Sequence, residues 1–192
     1  MSAQTAAAPE ITVPAASQRS MRPLAMFGLI ALPVVLLDQL SKYLVSTHLE
    51  AYTSRIPVIP GWLDITYTLN PGAAFSLFAT MPAWFRHSFF ITLSAVAIVV
   101  LGVLIARNKT TIAVALGMAA ILGGTIGNLI DRLASGRVID FIYFHHAWFN
   151  YPVFNLADSA ITLGVILIVV STAFEKDTAA SEEPRASSRS AV

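Results

Sequence analysis

Two runs of the chain, Ser88 to Ala106 and Thr111 to Ile130, contain no charged side chain. Each is close to the ~20 residues with which a helix crosses ~30 Å of hydrocarbon. Only the short link 107–110 separates them, so they are read as a transmembrane hairpin to which the rest of the fold must attach. Two more segments qualify with a polar interruption: Leu24 to Val45 carries Asp38 and Lys42 near its end, and Val153 to Phe174 carries Asp158 near its start. The spans are therefore predicted at about 24–45, 85–106, 111–131 and 153–174. With 56% of residues apolar and 12% charged, a soluble domain of this length could not hide its apolar surface.

The first span is too long for a removable signal peptide, and its end, DQLSKYLV, lacks a small-x-small cleavage pattern. Residues 1–20 and 176–192 are polar or small and aperiodic, so they are expected to be disordered tails around a single membrane domain, 21–175. The chain has no cysteine, which excludes disulfides, zinc-thiolate sites and cysteine nucleophiles. A formal net charge of +1 without a basic run gives no reason to expect nucleic acid as a partner.

Arg19 and Arg22 precede the first span, Arg107 and Lys109 fill the central link, and Lys176 follows the fourth span. The positive-inside rule then puts both termini in the cytoplasm. Arg55, Arg86, Arg132 and Arg137 fall on the other side, so the charge bias is modest. The orientation is strengthened by the two outer connections, about 46–84 and 132–152, which are long enough to carry structure. In the first, Trp62, Ile65, Tyr67 and Thr68 favour strand and Asn70-Pro71-Gly72 signals a turn, predicting a small β-element on the membrane surface.

Rise per residue brings the polar side chains to one end of the bundle. Asp38 lies about 21 Å up the first helix from Leu24, Asp131 and Arg132 close the outer end of the third, Asp140 belongs to the outer loop that follows, and Asp158 opens the fourth. An ionisable group at membrane depth costs at least ~2.5 kcal/mol and marks a functional cavity. Asp38 with Lys42, Asn128 with Asp131 and Arg132, and Asn155 with Asp158 have the three- and four-residue spacings of shared helical faces.

Each motif also has a plainer reading. Asp38 and Lys42 are first an ion pair that makes a polar helix tolerable. NPGAAFSLF, 70–78, is a glycine turn or a substrate-facing loop in which Asn70 donates to a peptide backbone. In GGTIGNLIDRL, 123–133, the glycines allow close helix packing, but packing does not explain Asn128, Asp131 and Arg132, which suit a polar network in which Arg132 pairs with a carboxylate. Asp140 is either an exposed loop acid or, among Val138, Ile139, Phe141 and Ile142, an acid whose neutral form is favoured. Asp158 could be only a helix-starting acid.

Taken together, Asp140 and Asp158 suggest more. Two carboxylates sharing a proton divide into a general base and a general acid. The base takes a proton from an attacking water while the acid hydrogen-bonds the scissile carbonyl. No HExxH or GxSxG occurs, and adjacent His145 and His146 lack helical ligand spacing, so they are read as interface residues. A proton- or ion-coupled transporter using the same acids is the alternative. It calls for polar groups through the membrane thickness, whereas the second and third spans are mostly apolar.

The blocks DQLSK (38–42), NPGAAFSLF (70–78), GGTIGNLIDR (123–132), GRVIDF (136–141) and FNLADSAI (154–161), in that order and spacing, resemble the signature of the bacterial lipoprotein signal peptidases, signal peptidase II, over roughly residues 24–174. The resemblance implies four transmembrane helices with a small periplasmic β-element and a surface helix over the site. It implies cleavage of prolipoproteins on the amino side of a diacylglyceryl-modified cysteine, at the outer face of the inner membrane. The catalytic pair falls on Asp140 and Asp158, and supporting or substrate-binding residues on Asp38, Lys42, Asn70, Gly72, Gly124, Asn128, Asp131, Arg132 and Asn155. No metal or cofactor is implied. The expected partners are lipidated signal peptides and membrane lipid, and the protein is expected to act as a monomer.

Overall fold

A computed structural model describes residues 23–72, 78, 81–107 and 110–189. Four helices are long and apolar enough to cross a membrane: Phe27–His48, Ala83–Arg107, Ile112–Ser135 and Leu156–Phe174. The first is composite. A turn at Pro23–Met26 runs into a π-helical segment, Phe27–Ala31, and then into α1, Leu32–His48. The widened turn comes just before Pro33, whose ring and missing N–H break the i→i−4 ladder there. The others are α2 (Ala83–Arg107), α3 (Ile112–Ser135) and α4 (Leu156–Arg189).

The central helix is α3, whose buried face meets α1, α2 and α4. Two of its glycines set the separations. A Cβ at Gly124 would lie 2.3 Å from the Ala157 carbonyl oxygen, and one at Gly127 would lie 2.6 Å from Asp38 Oδ2. Backbone and polar groups therefore approach α3 where a side chain would have kept them apart. In contrast, α2 and the outer faces of α1 and α4 expose Leu, Val and Ile, as lipid-facing surfaces do.

The β-element is larger than expected. Strands β1 (Arg55–Ile59), β2 (Leu63–Asn70), β3 (Val138–His146) and β4 (Phe149–Asn150) form an antiparallel sheet in sequential order. The second outer connection supplies half of it, so Asp140 lies on a strand and not in a loop. β-Branched and aromatic residues in VIDFIYF explain the strand. Period-2 alternation buries Val138 and Asp140 together. At the far edge, Asp64 is paired with Arg55 and with His145, while His146 stacks on Trp62 at 4.0 Å. The paired histidines thus have structural partners within the sheet.

Two boundaries of the last helix differ from expectation. The fourth span starts at Leu156, not Val153, because Asn155 caps it. The helix continues to Arg189, past the end of the span expected at 174. The leader at 1–20, most of the 73–80 interval and residues 190–192 lie outside the described residues. None of the elements among the described residues is the expected surface helix.

Candidate active site

A buried ion network underlies the site. Lys42 Nζ is 2.8 Å from Asp38 Oδ2 and 2.9 Å from Asp131 Oδ2, and it donates to Asn128 Oδ1 at 3.0 Å. The i,i+4 spacing of Asp38 and Lys42 turns both toward α3, where Asp131 lies one turn beyond Asn128. Asp38 Oδ1 also accepts the Ala157 N–H at 2.9 Å, and Asp131 Oδ2 accepts the Ile139 N–H at 3.1 Å. The network thereby ties α1, α3, α4 and β3 together.

Gln39 was missed by sequence reasoning. Its Nε2 lies within hydrogen-bonding reach of Asp38 Oδ2, the Gly127 carbonyl and Asp131 Oδ1, at 3.1–3.2 Å. A residue adjacent to Asp38 points about 100° away around a helix, so face periodicity gave no reason to include it. Only its length lets the amide reach across to α3.

Above the network, Asp140 and Asp158 both line a cavity of about 480 Å³, together with Asn70, Gly72, Asn128 and Arg132. Asn70 Nδ2 donates to Asp140 Oδ2 at 2.9 Å, while Asn70 Oδ1 accepts the Gly72 N–H at 2.9 Å. This Asx turn fixes which way the amide faces. Pairing of Thr68 with Asp140 and of Asn70 with Val138 sets Asn70 diagonally across from the acid.

Asn155, with no exposed surface, joins the two acids. Its Nδ2 donates to Asp140 Oδ1 at 2.7 Å, and its Oδ1 accepts the Asp158 N–H at 2.9 Å. In return, the Asn155 N–H donates to Asp158 Oδ2 at 3.3 Å. That reciprocal arrangement is a capping box, so Asn155 lies at the cap and not on a helical face shared with Asp158. Asn128 Nδ2 completes the shell, donating to Asp158 Oδ1 at 2.8 Å.

Arg132 departs from expectation. Among the described residues it forms no ion pair; its guanidinium lies 5.1 Å from the centre of the Phe90 ring and donates to the Asn128 carbonyl at 3.4 Å. The acids nearest to it already have amide and ammonium donors, which leaves the guanidinium on the cavity wall. Gly124 does not line the cavity; it permits the α3–α4 contact that holds Asp158 in position.

Burial, and then the charge of Asp158, push the Asp140 carboxyl up to about 7 against the opposing hydrogen bonds from Asn70 and Asn155. Near neutral pH, the cavity therefore holds an acid that keeps its proton over a substantial part of the titration.

Two carboxyl groups on one cavity wall, at one end of a four-span bundle, define a polytopic membrane protein with an acid-lined site. The profile of a peptidase family described as signal peptidase (SPase) II matches residues 30–174. A lipoprotein signal peptidase of Syntrophus aciditrophicus is 40% identical over 150 residues, covering 78% of this chain and 92% of that protein. One from Acinetobacter baumannii is 42% identical over 147 residues, covering 77% and 82%. A bacterial membrane enzyme solved by the in meso method superposes with a TM-score of 0.70 at 32% identity, covering 81% of this chain and 90% of the other. The chain belongs to the signal peptidase II family, whose members are aspartic peptidases.

Proposed function

We propose that the protein removes signal peptides from diacylglyceryl-modified prolipoproteins, cleaving on the amino side of the lipidated cysteine with Asp140 and Asp158 as the catalytic pair. The observation that carries this reading is the common cavity of the two acids and their linkage through Asn155. Asp158, as carboxylate, takes a proton from water whose oxygen attacks the scissile carbonyl carbon. Asp140, as carboxylic acid, donates a hydrogen bond and then its proton to the carbonyl oxygen. The C–N bond then breaks, and the proton on Asp158 passes to the leaving amine of the cysteine. One turnover consumes one water and returns both acids to their starting charges, once Asp140 recovers its proton from the collapsing diol.

Arg132 and Asn70 reach the same cavity and are suited to hold the substrate backbone, Arg132 as a donor not committed to a carboxylate. Acyl chains anchor the scissile bond at the membrane surface, which is the depth of a cavity at the helix ends. The same reading puts the sheet and cavity at the outer face of the inner membrane, both termini in the cytoplasm and a surface helix over the cavity. The same reading has the enzyme act as a monomer.

The test is cleavage of a diacylglyceryl-modified prolipoprotein by purified protein. Asp140→Asn and Asp158→Asn should each abolish turnover while leaving the protein inserted and folded. Near-full turnover by either variant would remove it from the catalytic pair.

A further inference from the structure

Four arginines stand at the sheet end of the bundle, against the usual bias of basic residues. Arg55 is accounted for by Asp64 and the Tyr143 ring, and Arg132 by the cavity. Arg86 and Arg137 belong to neither. Both line a second hollow of about 540 Å³ where the first turn of α2 meets the end of α3, with His87, Trp84, Leu133 and Pro71 among its other walls. No acidic side chain among the described residues lines it.

We infer that this hollow binds the phosphate of an anionic glycerophospholipid. Three observations bear on it. First, two helix termini of opposite polarity meet here, so their partial charges oppose each other and the arginines set the sign of the field. Arg137 has no ion-pair partner among the described residues to neutralise it. Second, both helices that meet here are membrane spans, so the hollow lies at headgroup depth. Third, the wall is amphipathic. Trp84 is 71% exposed and Leu133 is 63% exposed, which provides an interfacial anchor and an apolar surface for the start of an acyl chain beside the cationic one. A soluble phosphate would use the arginines but gain nothing from Leu133. A zwitterionic lipid would use Leu133 but bring its own cation to the arginines.

The inference rests on the four spans and not on the peptidase reading. Pro71 is the residue after Asn70, which donates to Asp140, so a lipid held here would lie against the segment that carries a cavity side chain.

The full chain, purified in a neutral detergent, would be titrated with phosphatidylglycerol or phosphatidylcholine, and retained lipid counted by native mass spectrometry. Phosphatidylglycerol should bind with clear preference. Each arginine near a lipid surface is worth about 1 kcal/mol, or roughly fivefold in affinity, so Arg137→Gln should weaken retention about fivefold. Arg55→Gln, outside the hollow, should leave it unchanged. Thermal midpoints verify that both variants fold. The inference is overturned by equal retention of phosphatidylcholine or by unchanged binding to Arg137→Gln. It is likewise overturned by an equal loss in Arg55→Gln, or by displacement with soluble glycerol 3-phosphate at matching concentration.

Discussion

Replacing Lys42 with Met asks how much of the bundle depends on the buried charge network. The ammonium is 2% exposed and has acceptors at 2.8, 2.9 and 3.0 Å on Asp38, Asp131 and Asn128, one for each of its protons. Methionine keeps an unbranched apolar stem, one atom shorter, and removes all three bonds. Asp38 and Asp131 would then retain only neutral donors, the Gln39 amide and the N–H groups of Ala157 and Ile139. Removing one partner of a buried ion pair costs about 3–5 kcal/mol. Because the carboxylates keep those donors, the lower end applies, about 3 kcal/mol. At about 2–4 °C per kcal/mol for a chain of this size, the unfolding midpoint should fall by about 6–12 °C. The measurement is thermal unfolding in one detergent, followed by tryptophan fluorescence. Lys42→Met/Asp131→Asn should melt above Lys42→Met, because the second change removes one of the carboxylates left unpaired. A Lys42→Met midpoint within about 1 °C of the parent, or a double variant no better than the single, would refute a network held together by charge.

Three further outcomes follow from the same geometry. Because the folded chain holds the Asp140 proton up to about 7, against 3.8 ordinarily, it binds more protons than the unfolded chain between those values; stability contributed by Asp140 should fall as pH rises through that window and level off above it. Thermal midpoints across pH should show this slope in the parent and lose it in Asp140→Asn, and cleavage should decline as pH rises through about 7. Gly124→Ala places a methyl 2.3 Å from the Ala157 carbonyl oxygen, so α3 and α4 must separate. A loss of about 1–3 kcal/mol, seen as a lower midpoint with reduced cleavage, is expected, and parental values for both would contradict the close approach. Asn155→Ala removes a donor to Asp140 and the cap of α4. It should cost about 0.5–2 kcal/mol from the cap alone and move the decline in cleavage to higher pH, since the carboxylate form loses support.

The spans and the convergence of acids were legible because both depend on periodicity and rise, which sequence carries directly. Two charge-free runs fixed α2 and α3 to within a few residues, and the spacing of Asp38 and Lys42 gave their contact. What failed to show depended on partners distant in the chain. Strand β3 has the β-branched and aromatic residues of a strand, but its pairing with β2, about 70 residues away in the chain, is not a local signal. Asn155 reads as a helical residue by spacing from Asp158; its Oδ1 caps α4 locally, whereas the Nδ2 bonds to Asp140 and Asn128 need β3 and α3 in place. Arg132 was expected to find a carboxylate, yet each nearby acid already had donors that only the assembled site brings to it. Gln39 lay within a quoted motif and was passed over because its importance comes from reach, which helical phase does not measure.

The two sets of acids have opposite electrostatic requirements within a few side chains of one another. Asp38 and Asp131 hold the Lys42 ammonium in the bundle at 2.8 and 2.9 Å. In the proposed mechanism Asp140 and Asp158 divide the roles of acid and base, which a cation bound directly to either would discourage by favouring the ionised form. Asn128 and Asn155 reconcile these requirements. Asn128 presents its oxygen to Lys42 and its nitrogen to Asp158, and Asn155 presents its nitrogen to Asp140 and its oxygen to the Asp158 N–H. An amide does not titrate, and it offers an acceptor on one side with donors on the other. An aspartate at 128 would satisfy Lys42 but set an acceptor against the Asp158 carboxylate; a lysine would do the reverse. Asn is thus the residue that meets the ammonium and the carboxylate at once without adding a charge. The charges that stabilise the helices can then lie directly beneath the proposed catalytic acids, with the neutral side chains of Asn128 and Asn155 between them.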